Sequence, residues 1–202
     1  MEKKVDEMTS FEAEILIWLN DLSGNVNVFD DFMRIAASDY LMPIVFSLGM
    51  LGLWFSGKTA LQRSEYQIQV IVGISALALA NVIVWLCNIT INRPRPFIDY
   101  PEHINLLFYP PTDPSFPANP VAVGFAVATA CWVVNRNLGR CMYACAVLFG
   151  ISRLYAGVFY PTDIIGGAAV GIASYGFATY LRRFLEPLVT SFLRLIRGLS
   201  AA

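Results

Sequence analysis

Three charged side chains stand out because each lies where an apolar run ends. Arg95 sits in Arg-Pro-Arg-Pro (Arg93–Pro96), where the prolines stiffen the backbone. Arg153 follows Ser152 at the end of one apolar run, and Asp163 opens the next, directly after Tyr160-Pro161-Thr162. Charges at the edge of a bilayer are costly, so they pair or mark a site. Two convergent arginines suit a phosphate, because guanidinium forks match pairs of anionic oxygens. Asp163 would then neutralise Arg153 or Arg95. The alternative is a structural ion pair at helix ends, with the arginines reaching toward the interface. The residues alone leave both readings open.

The elements that must position these groups are membrane helices. The chain has 202 residues, 56% of them hydrophobic and only 14% charged. That charge is well below a soluble domain's. Its net charge of −1, with no basic stripe, speaks against nucleic acid. A span needs about 20 largely apolar residues. Five segments approach this: Tyr40–Gly57, Gln67–Ile89, Asn119–Val134, Cys141–Ala156 and Pro161–Leu181. The third and fourth are short and are expected to extend into their flanks. Phe11–Leu22 and Val26–Ala37 are amphipathic and interrupted by acids, which predicts helices lying at the interface, unless the first is a shallow sixth span. The tail Leu185–Leu199, with Arg194 and Arg197 on one face, reads the same way. The charged opening Met1–Thr9 does not read as a secretory signal. The expected fold class is an all-α integral membrane bundle of about five spans. It divides into an amphipathic segment (1–39), a membrane domain (40–183) and an amphipathic tail (184–202).

Alternation of five spans puts three polar stretches, Asn88–Pro96, Pro114–Pro120 and Ser152–Asp163, on one membrane face. The longest connection, Thr90–Ala118, carries seven prolines and cannot be one helix. Long ordered loops of this kind are usually functional. The opposite face carries Lys58, Arg63, Arg136, Arg140, Arg182, Arg183, Arg194 and Arg197, against Lys3, Lys4 and Arg34 on the motif side. Positive charge marks the cytoplasmic side, so the motif face is expected to be extracytoplasmic, in a bacterial-type plasma membrane.

The three stretches resemble the three-part signature of the lipid phosphate phosphatases, the type 2 phosphatidic acid phosphatase superfamily. That family's first motif is Lys, six residues, Arg-Pro; here Asn88 stands at the lysine and Arg95-Pro96 matches. Its second motif is Pro-Ser-Gly-His, often preceded by Pro-Ser-Phe; this chain has Pro114-Ser115-Phe116, then Pro117-Ala118-Asn119-Pro120. Its third is Ser-Arg, five residues, His, three residues, Asp; this chain has Ser152-Arg153, Phe159 and Asp163. The resemblance covers roughly residues 40–183. It implies a phosphate-binding site at Asn88, Arg95, Arg153 and Asp163, with no metal and no cofactor.

The resemblance also marks what is missing. It implies that a histidine at position 159 attacks phosphorus, that Asp163 orients it, and that a histidine at position 120 protonates the leaving group. Phe159 has no lone pair for attack, and Pro120 has no proton to donate. Loss of one member of such a cooperative set commonly costs about 10⁴–10⁶ in rate. The expectation is therefore a non-catalytic relative that binds a lipid phosphate or serves as a membrane scaffold. The alternatives are an accessory subunit of a larger membrane complex and an active phosphatase with atypical groups. For the last, His103, the only histidine, would swing over the site, or Asp163 would act as the nucleophile. A binding site predicts Arg95 and Arg153 converging on open space. A scaffold predicts Phe159 and Pro120 filling that space, with Asp163 paired to an arginine.

The remaining features have plain readings. Cys141 and Cys145 share a helix face but lack histidine company, so they, with Cys87 and Cys131, are expected to be packing residues. Gly167 and Gly171 form a small-residue face, for packing within the bundle or for a homodimer or membrane-protein partner. Trp54, Trp85, Tyr109, Phe159 and Tyr160 are expected to be interfacial anchors.

Overall fold

A computed structural model describes the backbone of residues 2–25 and 27–200 and the side chains of residues 11–25 and 27–184. Every described regular element is helical: α1 (Glu2–Asn20), α2 (Asn27–Ala37), α3 (Leu41–Phe55), α4 (Ala60–Ile91), the short α5 (Pro96–Asp99), α6 (Asn119–Val134), α7 (Arg136–Tyr155) and α8 (Pro161–Ser200). Two helical stretches, Ala60–Asp99 and Pro161–Phe184, are long and apolar enough to cross a membrane. A third candidate is α2 with α3, bent by 53° at their junction. The chain is an integral membrane protein.

The distribution of side-chain size follows from lipid outside the bundle. Lipid tails are as apolar as leucine, so helices gain by close packing rather than by hiding large residues. Along α4 the buried positions are Val70, Val72, Gly73, Ala76, Ala80 and Val84, while Ile71, Ile74, Val82 and Trp85 face outward. The centre is α6, packed on α4, α7 and α8 with an inner face of Val121, Ala122, Ala126 and Ala130. Gly171 of α8 is needed there. A Cβ at this position would press on the Ala122 carbonyl and come within 2.9 Å of the Ala126 nitrogen. The small-residue face of Gly167 and Gly171 thus packs inside the bundle.

Boundaries follow local chemistry. Helix α4 stops at Asn92, whose left-handed φ of 45° turns the chain sharply into Arg93-Pro94. Helix α6 does not extend as expected. Its successor is capped at once by Asn135, which is extended and accepts from the amides of Asn137 and Leu138. Helix α7 does extend, back to Arg136.

Both ends are joined to the bundle. The first amphipathic stretch does not lie apart from the bundle. Leu16 is fully buried in a cluster with Ile104 and Tyr160, and α1 contacts α7 and α8. Buried Asn20 donates to the carbonyls of Asn105 and Tyr155 and accepts from the Asn105 amide, tying α1, the long loop and α7 together. The tail is not a separate helix, because α8 continues through Ser200; the expected faces of Leu185–Leu199 lie outside the described side chains.

Gly171→Val should therefore lower the thermal midpoint of the purified protein, by the equivalent of about 1–3 kcal/mol for overpacking. Gly176→Ala, where nothing lies within 4 Å of the added carbon, should be neutral or slightly stabilising. Equal midpoints for both variants would refute the close α6–α8 approach.

Candidate functional site

The three motif stretches are tied together by the backbone. The Ser115 amide donates to the Arg93 carbonyl at 3.0 Å, joining the second stretch to the first. The Ala118 amide donates to the Asp163 carbonyl at 3.0 Å, joining the second to the third. Arg95 Nη1 donates to the Val158 carbonyl at 3.2 Å, closing the circuit. Gly157, at φ +75°, makes the reversal after α7 that turns the chain toward Phe159.

Asp163 is fully buried at the start of α8. One carboxylate oxygen accepts from Arg93 Nη1 and the other from the Tyr160 amide, each at 2.8 Å. Its partner is thus Arg93, not the expected Arg95 or Arg153. Arg93 also donates to Thr162 Oγ1 at 2.8 Å and to Glu12 Oε2 at 2.7 Å, and it stacks 4.1 Å from the Tyr160 ring centre. Arg93 thus meets two carboxylates, Glu12 and Asp163. This cluster fixes α1 onto the start of α8.

Arg95 and Arg153 form a second charged group. Each is only 3% exposed. Arg95 donates from Nε to the Asp113 carbonyl at 2.7 Å and from Nη2 to the Asp113 carboxylate at 2.9 Å. Its guanidinium lies 4.6 Å over the Phe159 ring. Arg153 pairs with Asp39 through Nη2 and lies 4.2 Å over the Phe108 ring. The two residues are joined through one backbone unit: Arg95 Nη1 donates to the Val158 carbonyl, and the Val158 amide donates to the Arg153 carbonyl at 3.1 Å. Cavities of 510, 340 and 370 Å³ lie elsewhere, along α3, α4, α6 and α8.

The positions that depart from the resembled pattern are plainly placed. Phe159 is buried beside Ala118, Val121 and Val158. Pro120 lies in the first turn of α6. Asn88, Asn119 and Arg153 each keep one buried polar atom without a partner among the described residues: the two Oδ1 atoms and Nε. His103 is exposed in the long loop. Among the described residues no group of three or more His, Cys, Asp or Glu is placed to hold a metal, and the four cysteines are free.

Several expected anchors serve the site instead. Tyr109 donates to Asp39 at 2.6 Å, and buried Tyr160 donates to Asp99 at 2.8 Å. Phe159 faces Arg95 rather than lipid. The roles of Arg93, Glu12, Asp39 and Asp113 escaped the sequence reading. The only signals were positional: Arg93 lies two residues before Arg95, and Asp113 directly precedes Pro114.

Arg93→Ala leaves a fully buried carboxylate without its cation, and such a loss typically costs about 3–5 kcal/mol. The variant should unfold at a clearly lower temperature than His103→Ala, which removes an exposed ring. Similar midpoints would show that Asp163 is not held by Arg93.

Comparison with known proteins agrees with this frame. The profile of the PAP2 superfamily matches residues 69–186, more than half of the chain. The undecaprenyl-diphosphatase BcrC of Bacillus subtilis is 28% identical over 191 residues, covering 93% of this chain and 94% of that protein. Phosphatidylglycerophosphatase B of Bacillus subtilis is 27% identical over 195 residues, covering 91% and 88%. The crystal structure of Aquifex aeolicus LpxE superposes with a TM-score of 0.63 at 27% identity, covering 83% of this chain and 93% of that one. The order of the three motif stretches, their closure into one site and these similarities give one conclusion: the chain belongs to the PAP2 superfamily.

Proposed function

We propose that this protein binds the phosphate or diphosphate headgroup of a membrane lipid at Arg95, Arg153 and Asn88, without hydrolysing it by the histidine route implied by the resembled signature. One observation carries the reading. The side chain at the nucleophile position is Phe159, buried under the Arg95 guanidinium, with no lone pair to attack phosphorus. Asp163 is engaged on both oxygens, so it belongs to the frame of the site and positions Arg93. The arginines keep what anion recognition needs: fixed donors in a dry, converging pair. The relatives named for acting on lipid phosphates support a lipid headgroup as the ligand. In this reading five spans cross a bacterial-type plasma membrane and the motif face is extracytoplasmic.

A second reading is an active lipid phosphate or diphosphate phosphatase with replacement groups. The names of the relatives favour it, and they favour hydrolysis over a purely structural role as an accessory subunit. Its candidate groups are poorly placed, since Asp163 is fully buried and His103 is exposed on the loop.

The protein is reconstituted with phosphatidic acid, phosphatidylglycerophosphate or undecaprenyl diphosphate, and both bound lipid and released phosphate are measured. The expected result is bound lipid phosphate with no release above protein-free vesicles. Arg95→Ala and Arg153→Ala should each weaken binding roughly tenfold or more, as for loss of a charge-assisted hydrogen bond of about 1.5–3 kcal/mol. Release that disappears in the His103→Ala, Asp163→Ala double variant would put the second reading in place of the first. Absence of both binding and release would overturn both.

A further inference from the structure

The two arginines are deeply buried, but the carboxylates that pair with them are not. Side-chain exposure is 3% for Arg95 and 4% for Arg153, against 58% for Asp113 and 45% for Asp39. The carboxylates come from two loops outside the bundle core. Asp39 lies at the bend between α2 and α3, and Asp113 lies in the proline-rich connection before α6. Each covers its arginine from the solvent side. Tyr109, itself exposed, holds the second oxygen of Asp39. Burial works against the Asp39 carboxylate, but Tyr109 and Arg153 outweigh it and hold its pKa below the ordinary value. Asp39 is therefore an anion at neutral pH.

The resulting charge balance has a consequence for ligands. Two guanidinium groups and two carboxylates sum to zero. A phosphate dianion added to this set would bring two uncompensated charges to a poorly solvated place. The same dianion exchanged for the two carboxylates keeps the balance. The exchange is feasible because the buried arginines keep an anionic partner and the released carboxylates, already half-exposed, move into water. A donor is also left over inside: Arg153 Nε is buried and has no partner among the described residues. The buried half of the site is thus unfinished, while its outer half is closed by groups that can leave.

We propose that Asp39 and Asp113 are displaceable occupants of the headgroup site, which admit only ligands carrying enough negative charge to replace both. A phosphomonoester or a diphosphate qualifies, and a singly charged phosphodiester does not. This rests on the reading of Arg95 and Arg153 as a headgroup site. It adds residues that determine specificity and a charge threshold for entry.

The test compares the wild-type protein with Asp39→Asn, Asp113→Asn and the double variant in phosphatidylcholine nanodiscs. The probes are phosphatidic acid, phosphatidylglycerol and soluble inorganic pyrophosphate. The double variant should bind phosphatidic acid at least tenfold more tightly than the wild type, with the single variants between. It should also bind phosphatidylglycerol, which the wild type ignores. Tighter binding confined to pyrophosphate would assign a free polyphosphate rather than a lipid as the occupant and would still support the exchange. Tyr109→Phe provides a milder change that keeps both charges but frees Asp39, and should tighten phosphatidic acid binding several-fold. Unchanged or weaker affinity in folded carboxamide variants, with normal thermal midpoints, would overturn the exchange while leaving wild-type binding intact. If no variant binds any probe, the headgroup reading falls and the exchange falls with it.

Discussion

The carboxylate of Asp163 is the constraint on which the site end of the bundle depends. It is a fully buried charge at the first turn of a membrane helix, and such a group persists only when paired. Arg93 supplies the pair, and the Tyr160 amide takes the other oxygen. Arg93 can reach it only because α4 ends abruptly at Asn92 and the chain then runs through rigid prolines. Having satisfied Asp163, Arg93 still has donors free, and Glu12 of α1 takes one. One buried charge thus orders the end of α4, the start of α8 and the docking of α1. The Ala118 amide on the Asp163 carbonyl adds the start of α6 to the same node.

A second constraint comes from the bilayer. Close contact requires small residues, and the α6 face of alanines meets Gly171 of α8 at backbone distance. That contact fixes the spacing between the second and third motif stretches, because Asn119 opens α6 and Asp163 lies in the first turn of α8. Packing in the membrane and geometry at the site are therefore one problem. A shift of α8 on α6 would move Asp163 relative to Ala118 and uncouple the frame.

Much of the fold was legible because hydropathy and proline carry it directly. The bounds of α6, the start of α8 and the break between α4 and α6 are written in runs of apolar residues and in Asn-Arg-Pro and Tyr-Pro-Thr-Asp. The placement of the three polar stretches at one end of the bundle was legible from their positions between apolar runs. Pairing was not. Asp163 had three arginines within reach by topology, and only the turn at Asn92 selects Arg93. Asp39 sits more than a hundred residues from Arg153, at a bend that looks like any interfacial loop in the sequence. Tyr109, Phe159 and Tyr160 resembled membrane anchors because an aromatic near a span end satisfies that pattern, whether it faces lipid or an arginine. The amphipathic first helix was legible as such, but its contacts were not. Its polar face is there for Arg93 and the long loop as much as for water.

The substitutions at positions 120 and 159 make physical sense together with the arginines that remain. A guanidinium buried at the edge of a bilayer needs either an anion or an aromatic face. Arg95 has both, Asp113 on one side and the Phe159 ring on the other; Arg153 has Asp39 and Phe108. An imidazole at position 159 would offer Arg95 a poorer face and, once protonated, a repelling charge. Phenylalanine removes that conflict and excludes water, which strengthens every remaining electrostatic contact. The price is the nucleophile. Each retained arginine thus has an anion and an aromatic face within the chain, and the carboxylates that supply the anions are far more exposed than the guanidinium groups they meet.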